Sequence, residues 1–455
     1  METKKTKIYI LIFPDTGHVN PIAGIVEVLV KNKNCDVVFY GRKGQKDLIE
    51  RTGAQFRQYR FYRDGNSISK PLKEDPFTND LYLFTDFINL SYQEIPLLIQ
   101  DIEIDKPDLI IYDQLSIPAK YLLRIMEINF KNRKSSMNVP PSVQIYTCFP
   151  CKAGVYPTED LLEKFPCEPT GFLYNLEKYI LKMKQLTFSL YFGIDFIDPF
   201  ELWSDYFSDL NIVTLIPEIQ PMSENFGSSF KFVGSCVSEN VHKNNITDSK
   251  LVELLYNFSP LNPCFEKNNR NYFKLIYASL GTVFNNNIFI FDIIIEAIKE
   301  LNKEMSNIKV VLGVGKDNFN IYETRRKIGS YIVPDNVSIL SYAPQIEILE
   351  RASLFITHCG MNSASEAIQL GVPIIGIPIK ADQPLVAYRL CDELNLGIRF
   401  EPLTFNHKEL KNGIKKVLND DSYMDRILEF TKISRKYNGS QNAADFIIDY
   451  LNKKN

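Results

Sequence analysis

The chain has 455 residues, 45% of them hydrophobic and 24% charged, with a formal net charge of −3. That length exceeds one ordinary core and points to two or three domains, and the composition is that of a globular protein, which excludes a disordered chain. Both signs of charge are interspersed, so no field gathers nucleic acid or an anionic membrane, and the expected partner is a neutral or mildly polar small molecule.

At the N-terminus the apolar run Ile8 to Phe13 stops at Pro14-Asp15. It is too short for the core of a signal peptide and reads as a buried strand. No run approaches the roughly 18 apolar residues of a spanning helix, and the chain ends in Asn452-Lys453-Lys454-Asn455. The expectation is a soluble, cytoplasmic protein without a membrane span.

Strand-like and helix-like runs then alternate. Pro21 to Lys31 reads as helix, Asp36 to Tyr40 as strand and Asp47 to Arg51 as helix. Asp108 to Tyr112 reads as a buried strand ending at Asp113, Pro118 to Glu127 as helix and Val143 to Thr147 as strand. Such alternation predicts a parallel sheet covered by helices. From Thr158 to Tyr206 the period turns helical and aromatics crowd in, Phe165, Phe172, Tyr174, Tyr179, Phe188, Tyr191, Phe192, Phe196, Phe200 and Trp203 among them. A stripe of this kind builds core more often than pocket, yet together the rings favour an apolar cavity in the first half.

Asn211 to Ile216 and Phe230 to Val233 close that half. Polar stretches at Ser235 to Ile246 and Asn268 to Asn271 mark a linker and a loop. The pattern then repeats in Leu275 to Ser279, a helix over Ile288 to Met305, Lys309 to Leu312, Val337 to Leu340, Leu354 to Thr357, Ile374 to Ile377 and Gly397 to Phe400. A last helix is expected over Ser440 to Leu451.

Eight cysteines are scattered, and only Cys148 and Cys151 form a C-x-x-C pair. Zinc would want a second pair or suitably spaced histidines, and neither exists, so all eight read as reduced thiols.

There are four histidines, two of them in loops where ligands bind. Gly17-His18-Val19-Asn20-Pro21 follows the first strand, and Asn20 and Pro21 fit N-cap and N1. His18 then lies on the open edge of the sheet, suited to accept a proton unless it is an ordinary surface histidine. Asp113 ends a neighbouring strand on the same edge and would orient the ring, or else cap the following helix. Thr282, in Ser279-Leu280-Gly281-Thr282, follows a strand and a glycine and suits phosphate or a helix cap.

The most telling stretch is Thr357-His358-Cys359-Gly360-Met361-Asn362-Ser363-Ala364-Ser365-Glu366, where an apolar strand hands over to a helix through glycine. First-turn N–H groups lack intrahelical partners and the macrodipole adds roughly half a positive charge, so this turn suits phosphate. Gly360 admits a ligand to the backbone, Asn362 or Ser363 can cap the helix, and His358 brings a donor. Ser363-x-x-Glu366 also fits a capping box.

The segment Tyr342 to Gln383, with Ser341-Tyr342-Ala343-Pro344-Gln345 at one end and Pro378-Ile379-Lys380-Ala381-Asp382-Gln383 at the other, resembles the nucleotide-sugar signature of the UDP-glycosyltransferases. Phe13-Pro14-x-x-Gly17-His18-x-Asn20-Pro21 and Lys106 to Asp113 resemble the family's two N-terminal motifs. The resemblance implies the GT-B fold, in which two Rossmann-like α/β domains face across a cleft. It places an acceptor-binding domain at residues 1–237, a nucleotide-sugar-binding domain at 238–435 and a closing helix at 436–455 that crosses back to the first domain. It also implies a monomeric, inverting enzyme that moves a hexose from a UDP-sugar, UDP-glucose first among them, to a hydroxyl of a small apolar acceptor.

By the same resemblance His18 is the base and Asp113 its support. Tyr342 stacks on uracil, Ala343 and Gln345 hold the base edge and ribose, and Glu366 binds ribose hydroxyls. Thr282, His358, Gly360, Asn362 and Ser363 hold the diphosphate, and Asp382 and Gln383 bond the sugar. Plant members have tryptophan where Tyr342 and Met361 stand, and a Tyr342 to His358 interval two residues longer. The chain contains no Asp-x-Asp, the arrangement by which many glycosyltransferases hold a divalent metal, so no metal and no further cofactor is expected.

An oxidoreductase would need a complete G-x-G-x-x-G, absent after the first strand and at Gly313-Val314-Gly315. A non-catalytic nucleotide-sugar binder would not need His18 and Asp113, and an epimerase of the same fold is the nearest enzymatic rival.

Overall fold

The computed structural model describes residues 5–62, 80–132, 138–165, 172–198, 201–202, 207–238, 249–257, 274–282 and 285–454. Phe200, Trp203, the loop at 268–271 and the greater part of the expected linker lie outside them, as do the side chains of Phe172 and Tyr174. The described residues fall into two compact units, one formed by the chain up to 238 together with 437–454, the other by 249–436.

In the first unit the strands are β1 (Lys7–Leu11), β2 (Asp36–Gly41), β3 (Gln55–Gln58), β4 (Leu109–Asp113), β5 (Ser142–Tyr146), β6 (Leu210–Val213) and β7 (Phe230–Phe232). They form one seven-stranded sheet in the order β3-β2-β1-β4-β5-β6-β7. Every pairing in it is parallel. A parallel sheet is covered on both faces, which explains why β1 and β4 are nearly unbroken apolar runs rather than alternating ones.

The second unit repeats the plan with β8 (Lys274–Ser279), β9 (Ile308–Gly313), β10 (Val337–Leu340), β11 (Leu354–Thr357), β12 (Ile374–Gly376) and β13 (Gly397–Arg399). Its six strands lie in the order β10-β9-β8-β11-β12-β13, again all parallel. In both units the strand order reverses beside the unit's first strand, between β1 and β4 and between β8 and β11. That reversal opens a crevice at the carboxyl ends of the strands, where doubly wound sheets bind ligands.

The last helix, Gly439–Lys454, belongs to the first unit. Ala443, Ala444, Ile447 and Leu451 enter the same buried cluster as Ile22, Val26 and Leu29 of the Thr16–Lys31 helix. Lys33 and Asp445 pair at 2.5 Å, and Lys454 donates to Asp209 at 2.7 Å. Among the described residues no helix is long and apolar enough to cross a membrane.

Three local expectations change. The first helix begins at Thr16, with Asp15 at its N-cap and Pro21 inside it, so Asn20 is not the cap. The Asp15 carbonyl accepts from the N–H groups of His18 and Val19, each at 2.9 Å. A proline this close to the helix start forfeits only one ladder bond, and the extra turn around it compensates. β3 and the Asp80–Asp105 helix were not expected, because Gln-Phe-Arg-Gln on a sheet edge carries no apolar pattern.

The aromatic stripe divides between core and surface. The Phe172–Phe192 helix buries Leu181, Gln185, Phe188 and Ser189, with Tyr121 donating to Gln185 at 2.6 Å. Tyr179 and Tyr191 point the other way and are 62% and 70% exposed.

Candidate functional site

In the first unit the carboxyl ends of β1, β4 and β5 bring together residues distant in sequence. His18 sits in the first turn of the helix after β1, and Asp113 is the last residue of β4. His18 Nδ1 lies 2.5 Å from Asp113 Oδ2, with the carboxylate fully buried and the imidazole 15% exposed. The other oxygen of Asp113 accepts from the Phe13 N–H at 3.2 Å. The helix after β4 begins at Ile117 with Ser116 at its N-cap, so Asp113 does not cap it.

A proton on Nδ1, the nitrogen beside the carboxylate, leaves Nε2 with the lone pair, and the nearby carboxylate stabilises the cation formed when Nε2 takes a proton. Phe13 meets the imidazole edge to face at a centroid distance of 5.4 Å.

Neighbours that went unnamed in the sequence complete the arrangement. Thr147, just beyond β5, places its hydroxyl 3.4 Å from His18 Nδ1. Gln114 donates through Nε2 to Thr147 Oγ1 at 3.2 Å and accepts the Thr147 N–H at 3.1 Å. Both residues stand at strand ends, the one signal that could have found them. Lys120 is fully buried and donates to the Leu202 carbonyl at 2.6 Å. Burial pushes its ammonium down to about 7, against the opposing pull of Asp113 and Cys151.

The second unit gathers the other singled-out residues along one sheet edge. Thr282 is exposed beyond β8, Tyr342 and Ala343 follow β10, His358 follows β11, and Asp382 lies beyond β12. The helix after β11 is Met361–Leu370 and its N-cap is Gly360, with φ −60° and ψ 137°. Asn362 and Ser363 are therefore inside the first turn rather than capping it, and Ser363 with Glu366 is not a capping box. Glycine can leave the strand closely under His358, where a larger cap would collide. First-turn N–H groups, which no intrahelical carbonyl can satisfy, face the end where the dipole is positive.

His358 packs on two glycines. A Cβ at Gly281 or at Gly360 would lie 2.5 Å from its Nε2, and Gly281 has φ +77°, a left-handed conformation that favours glycine. Burial depresses the imidazole to about 4, partly opposed by a hydrogen bond to the Ser279 backbone, so the ring is neutral near pH 7. Its Nδ1 is buried without a hydrogen-bond partner among the described residues.

Gln345 organises the opposite rim. It accepts from the Tyr277 hydroxyl at 3.3 Å and donates to Ser363 Oγ at 3.1 Å and Glu366 Oε2 at 2.6 Å. Burial raises the Glu366 carboxyl to about 7, with the Gln345 bond opposing. Tyr342 is 68% exposed, a ring available for stacking. Gln383 differs from expectation, since its side-chain carbonyl accepts from the N–H groups of Ile379 at 2.8 Å and Lys380 at 3.1 Å. That oxygen holds the loop in shape, so only the amide NH₂ remains for a ligand. Among the described residues the next helix starts at Ile288 behind Asn287, so Thr282 is not its cap.

Two doubly wound units, the second presenting a histidine and a glycine-capped helix at its switch point, form the fold of the GT-B glycosyltransferases. The solved glycosyltransferase of kitacinnamycin superposes with a TM-score of 0.72 at 20% identity over 99% of this chain and 100% of that one. The calicheamicin glycosyltransferase does so with 0.69 at 18%, over 99% of each chain. Residues 330–451 match the family described as UDP-glucoronosyl and UDP-glucosyl transferase.

Whole-length relatives agree. The uncharacterized UDP-glucosyltransferase YojK of Bacillus subtilis is 26% identical over 97% of this chain and 96% of its own. The NDP-glycosyltransferase YjiC of the same organism is 27% identical over 99% and 98%. Residues 330–451 carry the domain of the UDP-glycosyltransferase family, and with the whole-length relatives this marks a glycosyltransferase.

Proposed function

We propose that this enzyme transfers a hexose from a UDP-sugar, UDP-glucose first, to a hydroxyl of a small, largely apolar acceptor with inversion. His18 is the general base, and the observation that carries this reading is the 2.5 Å contact between its Nδ1 and Asp113. Nε2 removes the acceptor proton as the oxygen attacks the anomeric carbon, and Asp113 holds the tautomer and stabilises the imidazolium. General-base assistance of this kind contributes about 10²- to 10⁴-fold.

UDP leaves as negative charge grows on the diphosphate. The N-terminus of the Met361–Leu370 helix, with Gly360, Asn362 and Ser363, takes up that charge together with His358 and Thr282. One well-placed donor is worth about 3 kcal/mol in the transition state, which lets the site work without a metal. Tyr342 stacks on the base, Ala343 and Gln345 line its edge, Glu366 accepts from ribose hydroxyls, and Asp382 and the Gln383 amide hold the sugar.

Mass spectrometry of products from a mixed panel of donors and hydroxyl-bearing acceptors tests the reading. Including dTDP-sugars is informative, since two structural neighbours were solved with thymidine diphosphate. A glycoside from UDP-glucose supports the proposal. Epimerised nucleotide sugar, or binding without any product, would replace it.

A further inference from the structure

Beside His18 stands a pair of thiols that glycosyl transfer does not use. Of the six described cysteines, Cys35, Cys236, Cys359 and Cys391 are buried, whereas Cys148 and Cys151 are partly exposed, and all six are thiols. Burial pushes the buried four up, Cys35 to about 11 and Cys236 and Cys391 to about 12, which leaves them unreactive.

Cys148 and Cys151 crowd one backbone carbonyl, their sulfurs lying 3.8 and 4.0 Å from the Phe149 oxygen. Cys148 Sγ also accepts from Gln114 Nε2 at 3.1 Å. The same nitrogen donates to Thr147 Oγ1 at 3.2 Å, and that hydroxyl lies 3.4 Å from His18 Nδ1. A continuous polar chain therefore runs from the first thiol of the C-x-x-C sequence to the imidazole paired with Asp113. Cys151 interacts electrostatically with the buried Lys120 amine.

We propose that Cys148 and Cys151 are a redox modification site that closes to an intramolecular disulfide on contact with a hydroperoxide, and that closure slackens the seat of His18 and slows transfer. One thiolate attacks the peroxide O–O bond, displacing hydroxide that leaves as water and forming a sulfenic acid. The other thiolate attacks that sulfur and expels the second water. The two thiols lose two electrons and two protons, and hydrogen peroxide is reduced to two waters.

A disulfide needs its sulfurs about 2.05 Å apart with Cα atoms about 5.5 Å apart. Bringing together two sulfurs that straddle Phe149 and Pro150 pulls Cys148 from Gln114, and Gln114 is what positions Thr147. A displacement of about 1 Å around a reacting group costs up to about 100-fold in rate. The inference rests on His18 being the base only for its activity readout, since the disulfide itself is read by mass.

Full-length enzyme is treated with hydrogen peroxide, alkylated, digested and assayed with and without dithiothreitol. The expected result is one peptide linking Cys148 to Cys151, lighter by two hydrogens, with activity reduced about 10- to 100-fold and restored by dithiothreitol. Cys151→Ser keeps basal activity and escapes the reversible loss. A mapped disulfide with undiminished activity overturns the proposal, as do thiols that stay open to alkylation under peroxide, or a Cys151→Ser variant inhibited like the parent. If His18→Ala transfers sugar normally, the base assignment fails, while peptide mapping still decides whether the pair closes.

Discussion

Gln345 and Glu366 are joined by one short hydrogen bond, the Gln345 amide donating to Glu366 Oε2 across 2.6 Å. The carboxyl it meets is raised to about 7 by burial, so near neutral pH it is divided between acid and carboxylate. In the proposed role of Glu366, ribose hydroxyls donate to the carboxylate and not to the acid's own hydroxyl hydrogen. Donor affinity should therefore strengthen from about pH 6 to about pH 8. Glu366→Gln should bind UDP more weakly and show no such slope, which calorimetric titration across that range would read.

His18→Ala should lower kcat/KM by about 10²- to 10⁴-fold and leave UDP affinity at its parent value, because the residues proposed to hold the diphosphate lie in the other compact unit. Asp113→Asn should also lose rate, since an amide donating to Nδ1 puts the proton on Nε2, the nitrogen that must be bare. Loss of UDP binding along with rate in either variant would contradict the assigned roles.

Gly281→Ala and Gly360→Ala each place a methyl 2.5 Å from His358 Nε2, so the ring must shift. UDP affinity should weaken about tenfold, or roughly 1.4 kcal/mol. The two differ in a useful way. Gly281 is left-handed at φ +77°, so its variant adds backbone strain to the clash, whereas Gly360 has φ −60° and its variant carries the clash alone and should lose less stability. Binding and thermal unfolding measured together separate ring displacement from backbone strain.

Acid should weaken the fold through His358. Burial puts its folded value near 4, below the ordinary 6.5, so between those values the unfolded chain binds more protons than the native one. Stability is therefore lost as pH falls from about 6.5 toward about 4, on the order of 3 kcal/mol from this group. His358→Asn should flatten that part of the profile, as followed by urea unfolding at fixed pH.

Buried strands were readable because a parallel sheet covered on both faces demands unbroken apolar runs, and β4, β8 and β11 are of that kind. The edge strand β3 was not, since Gln55, Phe56, Arg57 and Gln58 satisfy a ladder on one side and water on the other. Helix starts misled for a related reason. Proline and serine carry preferences of about 1 kcal/mol at caps, and the packing of the Thr16–Lys31 and Met361–Leu370 helices outweighs them.

By itself the sequence determined which residues could do chemistry and on which strands they fell, because apolar period and turn residues are local properties. Only the tertiary structure decided that His18 meets Asp113, that Gln114 and Thr147 stand behind them, and that two glycines press on His358. Those contacts come from the parallel pairing of β1 with β4, of β4 with β5 and of β8 with β11. Strand order is set by how whole helices pack across a sheet, and no single segment of the chain encodes it.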